Sequence, residues 1–212
     1  PLYVLFLGLL TKLFGFKLLV FKLFNVVFSF FAVFFFFKAF YKRIPFVVFI
    51  PVMIFVSCNH LIQYYASMTF TEAFYLFLQA LFFYWFFKLH DALLTEPNGM
   101  KHIKLWLMVG LFTFLIATCK SVAIVAVPVL IVFFLLAKQW KNAGLALGAY
   151  LIFKIPYELI VKLIWGSQNQ FSGQSKILLL KDPYDKSLGN EDLSGFITRF
   201  FDNCNLYLSK RF

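Results

Sequence analysis

Long apolar runs recur along this chain, each closed by a small cluster of lysine or arginine, with Phe34-Phe35-Phe36-Phe37-Lys38 as the densest example. A run of ~20 apolar residues is what a helix needs to cross the hydrocarbon layer of a bilayer. Residues 2–14 are apolar but too short to span, which suits a helix lying at the interface. Spans are expected at 17–37, 43–57, 72–88, 104–118, 121–137 and 143–165. The second is expected to be kinked, because its apolar run, Phe46 to Ser57, begins after Pro45 and holds Pro51 inside it. Between the second and third runs, Ser57-Cys58-Asn59-His60 to Thr71-Glu72 is polar and holds no Lys or Arg. The segment His90 to Lys104 contains Glu96-Pro97-Asn98-Gly99, a turn signal. The predicted fold is all-α: a polytopic membrane helical bundle of six spans and one interfacial helix.

Composition reinforces that reading. Of 212 residues 62% are hydrophobic and 33 are Phe, while 14% are charged; a water-soluble domain of this size cannot hide so much apolar surface. The net charge of +11 does not point to nucleic acid, since the basic residues sit between apolar runs and form no stripe. Topology and anionic head groups account for them. Lys38/Lys42/Arg43, Lys88/Lys101/Lys104 and Lys138/Lys141 alternate with nearly uncharged loops, so the positive-inside rule puts 38–43, 88–104 and 138–142 in the cytoplasm. The loops 58–71 and 119–121, and everything after Trp165, then lie outside, as in a multi-pass membrane protein. Lys12, Lys17 and Lys22 fall on or near the outer side, where an anionic partner would explain them. Residues 1–165 form the membrane region, and 166–212, with five acids and six bases, form a polar extracytoplasmic segment. Within it, Asn190-Glu191-Asp192 resembles a helix start, and Gly195 to Leu208 has the spacing of an amphipathic helix resting on the membrane. No signal-peptide pattern opens the chain, and both ends read as cuts from a longer protein.

Few polar residues are placed to do chemistry. Glu72 is the only acid in the outer half of the membrane region. It either satisfies first-turn amides, with Thr69 or Thr71 as cap, or stands at the mouth of a cavity to bind a metal, a base or a sugar hydroxyl. Lys120 lies between two apolar helices; it either snorkels to the interface or clamps a lipid-linked phosphate. Lys22, one turn into the first span, reaches the same side. Lys154, Glu158 and Lys162 share a helix face and read as a structural ion-pair triad. Cys58, Cys119 and Cys204 have no ligand spacing or disulfide framework, and Cys58 with His60 lacks a third ligand. No cofactor motif is present, so a divalent metal at Glu72 is the one candidate left open. There is no P-loop, dinucleotide fingerprint, Ser/His/Asp set or HExxH.

Three stretches carry a resemblance: Pro1-Leu2-Tyr3 through Phe14-Gly15-Phe16 with Phe21-Lys22-Leu23-Phe24-Asn25, then Tyr65-Ala66-Ser67-Met68-Thr69-Phe70-Thr71-Glu72, and Ala117-Thr118-Cys119-Lys120-Ser121 to Pro128. Over residues 1–165 the pattern resembles the GT-C superfamily of integral-membrane glycosyltransferases, in the branch of protein mannosyltransferases and aminoarabinose transferases. The resemblance implies a polyprenyl-phosphate sugar donor and transfer to an acceptor on the outer face of the membrane. It implies that Glu72 is the second acidic group of the site and that Lys22 and Lys120 stabilise the donor phosphate. Lys22 stands where that family often has Arg, so bidentate contact is lost there. The family's catalytic aspartate belongs to a loop that would precede Pro1, so this piece alone is expected to be inactive. The rivals are a transporter or flippase for a lipid-linked glycan, and a structural membrane subunit in which Glu72 and Lys120 are replaceable.

Overall fold

In the computed structural model, residues 2–166, 180–182 and 185–209 are described, and every regular element among them is helical. The chain forms two compact units, Pro1–Ile160 and Val161–Phe212. The division falls inside a helix, five residues before the composition changes.

The first unit begins with α1 (Leu2–Phe14), where the sequence predicts an interfacial helix, and α2 (Leu18–Phe40), which covers the first expected span. Gly15 joins them at φ +74°, a left-handed conformation that favours glycine. Then come α3 (Phe46–Ser57) and α4 (His60–Ser67), bent by 42° at the break between them. The polar stretch 58–71 is therefore half helical: Asn59 caps α4, its Oδ1 accepting from the Leu61 and Ile62 amides. Next are α5 (Glu72–Thr95), α6 (Ile103–Cys119), α7 (Ala126–Leu136) and α8 (Trp140–Trp165).

Three helices are long and apolar enough to cross a membrane: Leu18–Phe40, Gly99–Cys119 (the 3-10 turn 99–102 leading into α6) and Trp140–Ile164. Counting α3 with α4 as one bent span makes four. The remaining expected spans differ for physical reasons. The run 121–137 is a 3-10 turn, Ser121–Val125, leading into the short α7, so the pair is under-length. The helix α5 is 24 residues long, but Gln79, Lys88, His90 and Asp91 dilute its hydropathy. It is also the centre of the bundle, burying Ala73, Phe74, Leu78, Ala80, Phe82, Leu89 and Leu93 between α2 and α6.

The contact between α2 and α5 is mostly ring on ring. Phe28 meets Phe74 and Phe77 at 4.9 and 5.3 Å between centroids, Phe35 meets Tyr84 at 5.4 Å, and Phe40 meets Phe87 at 5.1 Å. The partner numbers rise together along both helices, so α2 and α5 run parallel. In lipid no hydrophobic force draws helices together, so close packing of this kind carries the association. The junction of α6 with α8 uses small residues instead. Gly110 lies so close to α8 that a Cβ there would overlap the Ala149 carbonyl. Ala143, Ala146 and Ala149 form the buried stripe of α8.

These contacts sort the ends of the first unit by charge. Arg43 donates to both oxygens of Asp91 at 2.6 and 2.7 Å, and Gly99 abuts Asn142, so the basic segments 38–43, 88–104 and 138–142 gather at one end. The segments 58–71 and 119–121 lie at the other, where Asn25 bonds Met68 and Phe70 and Lys120 bonds Glu72.

The second unit holds α9 (Leu193–Ser209), the helix expected at 195–208. Asp192 caps it, as the 190–192 pattern predicts: its Oδ1 accepts from the Gly195 amide at 2.7 Å. That bond and one from the Ser194 hydroxyl hold the carboxyl below its ordinary range. Arg199 reaches back to the Leu180 and Lys181 carbonyls and to Glu191 Oε2 at 2.6 Å, which ties the bridge between Leu180 and Asn190 to α9.

Candidate functional site

The least expected polar group is Asn25, fully buried in α2, whose other buried residues are all apolar. Its Oδ1 accepts from the Tyr3 hydroxyl at 3.1 Å, and its Nδ2 donates to the Met68 and Phe70 carbonyls at 2.5 and 3.2 Å. One side chain thus joins α1, α2 and the turn that leads into α5. An amide buried at this depth is stable only when its donors and acceptor are used. One turn further along α2, the buried Ser29 hydroxyl has no hydrogen-bond partner among the described residues.

That turn delivers Glu72 to the first position of α5. Thr71 occupies the N-cap position but makes no capping bond; its hydroxyl lies 3.5 Å from Glu72 Oε2. The expected threonine cap is therefore absent, because the Thr71 backbone is already helical (φ −72°, ψ −15°) and cannot turn its hydroxyl onto the N2 or N3 amide. Glu72 instead faces Lys120, whose Nζ donates to Oε1 at 2.9 Å. Lys120 is the C-cap residue of α6, extended at φ −132° and ψ 130°, with its amide bonded to the Ile116 carbonyl. Each charge complements its helix, an anion at the N-terminus of α5 and a cation at the C-terminus of α6. The Lys120 ammonium also lies 5.4 Å from the centre of the Tyr75 ring. Both side chains are about one-third exposed, at 31% for Lys120 and 30% for Glu72, so the pair is reachable from outside the bundle.

Two of the three sequence-predicted site residues are thus in direct contact. Lys22 is exposed on α2, three residues before Asn25, and belongs to no ion pair among the described residues. The metal candidate does not fit. Glu72 already carries an ammonium on one oxygen, and no group of three His, Cys, Asp or Glu side chains converges among the described residues. In α8, Lys154 pairs with Glu158 at 2.5 Å while Lys162 joins no described ion pair, so the expected triad is a pair. Sequence reasoning missed Asn25 as a site-building residue. The available signal was one amide inside a helix whose other buried residues are Phe21, Ala32 and Ala39. It missed Arg43 with Asp91 as well; there the guanidinium also lies 4.1 Å from the Phe87 ring. Comparison with protein-family models, curated proteins and solved structures gives no match for this chain.

Proposed function

We propose that this chain is the multi-pass membrane region of a glycosyltransferase that uses a polyprenyl-phosphate sugar donor on the outer face of a bacterial inner membrane. The observation that carries the proposal is the Glu72–Lys120 pair, 48 residues apart in sequence and 2.9 Å apart at the end of the bundle away from the basic loops. With the basic end in the cytoplasm, the pair faces the outer side, and so does the segment after Trp165.

In this reading Lys120 is the donor-phosphate ligand and Glu72 its resting counter-ion. Donor phosphate displaces the carboxylate from the ammonium. Lys120 then offsets the negative charge that grows on the phosphate as the sugar departs, with Lys22 as a second cation on the same end. The released Glu72 carboxylate is free to accept a hydrogen bond from a sugar or acceptor hydroxyl.

The test is sugar transfer from a polyprenyl-phosphate donor by the purified intact parent, normalised to folded protein. Glu72→Gln and Lys120→Ala should each lower turnover at least tenfold, about 1.4 kcal/mol of transition-state stabilisation. Lys154→Ala should reduce the yield of folded protein and leave the rate per folded molecule unchanged. Wild-type rates in both site variants would end the transferase assignment and favour a flippase or a structural subunit.

A further inference from the structure

An open apolar groove of about 400 Å³ runs between α2 and α3. Phe30, Phe34 and Phe37 line it from α2, and Ile50, Met53 and Ile54 from α3. The contact of Phe37 with Phe49, at 5.4 Å between centroids, closes it towards the basic end. Two lysines stand over that end. Lys38 Nζ lies 5.1 Å from the ring centre of Phe34, itself a wall of the groove. Lys42 Nζ lies 5.5 Å from the ring of Tyr41, which stacks on Phe37 at 7°. Neither lysine joins an ion pair among the described residues, because the nearby acid Asp91 is taken by Arg43.

We infer that this groove seats one hydrocarbon chain of an anionic diacyl phospholipid of the surrounding bilayer, with its head-group phosphate held between Lys38 and Lys42. The charge pattern selects the occupant: an apolar trough that ends under two unneutralised ammonium groups matches a molecule with an acyl chain and an anionic head. A zwitterionic lipid brings its own cation to the same place and gains less. The site is separate from the Glu72–Lys120 pair. Lys38 is sixteen residues from Lys22 along α2, roughly 24 Å at the helical rise, and at the opposite end of the bundle. The inference does not depend on the transferase reading.

The experiment is native mass spectrometry of the full chain in detergent. It is titrated separately with phosphatidylglycerol, with phosphatidylcholine of the same acyl chains, and with a polyprenyl phosphate. Phosphatidylglycerol should be retained in preference to both others. At about fivefold per lysine, the double variant Lys38→Gln/Lys42→Gln should weaken that retention by about thirtyfold. The equally basic Lys138→Gln/Lys141→Gln pair, which lies outside the groove, should leave retention within twofold of wild type. Met53→Trp, which fills the trough without changing charge, should also abolish the preference. Equal retention of phosphatidylcholine would overturn the proposal, as would equal losses in the two lysine pairs. Preferential retention of the polyprenyl phosphate would overturn the choice of occupant.

Discussion

Replacing Asn25 with leucine tests whether one buried amide holds the site in place. The substitution keeps side-chain volume close to constant and removes three hydrogen bonds, from Tyr3 and to Met68 and Phe70. Side-chain hydrogen bonds inside membrane proteins average ~0.6 kcal/mol and reach ~1.7, so three of them amount to about 2 kcal/mol. Only part of that is recovered by burying a leucine, because the two part-buried backbone carbonyls and the buried tyrosine hydroxyl lose their partner. The expected loss of stability is about 2 kcal/mol, read from reversible denaturant unfolding in detergent micelles. Tyr3→Phe alone should cost about 0.6 kcal/mol and nothing further in the Asn25→Leu background, since both remove the same bond. The turn at 68–70 feeds directly into Glu72. Under the proposed function, use of a polyprenyl-phosphate donor should therefore fall in Asn25→Leu even at temperatures where the protein stays folded. A loss below about 0.5 kcal/mol, or additive costs in the double variant, would show that the network does not hold the turn.

Gly110→Ala should destabilise by about 1–3 kcal/mol, because the new methyl meets the backbone of α8, which cannot step aside; Gly148→Ala, open to space, should be neutral or stabilising in the same unfolding assay. Arg43→Lys loses the two-oxygen grip on Asp91 in a partly exposed place and should cost under about 1 kcal/mol, while Asp91→Ala in that background adds almost nothing. The Asp192 carboxyl has a lowered pKa in the folded chain, so its contribution is present above the ordinary value of 3.8 and is lost as pH falls through the lower folded value. Protection of the amides at the start of α9, taken relative to their intrinsic exchange rate, should fall below about pH 3.8 in wild type; in Asp192→Asn it should be lower at neutral pH and insensitive to that acidification.

Much of the architecture is already present in one dimension. Apolar runs with terminal lysines specify helices at 18–40, 103–119 and 140–165 whatever their neighbours do, because in lipid a backbone must satisfy its own hydrogen bonds. The helix start at Asp192 and the break at Gly15 are equally local, each set by the geometry of one residue. Glu72 and Lys120 stand out in the sequence because charge is rare among their neighbours. That they touch, that Asn25 bonds the turn leading into Glu72, and that Gly110 presses on Ala149 follow only from the packing of helices far apart in the chain. Those contacts have no periodicity to reveal them, since each depends on a rotation and a depth that two separate helices must share. The same limit explains α5. Its sequence reads as one more span, and only the fold makes it the helix that the others surround.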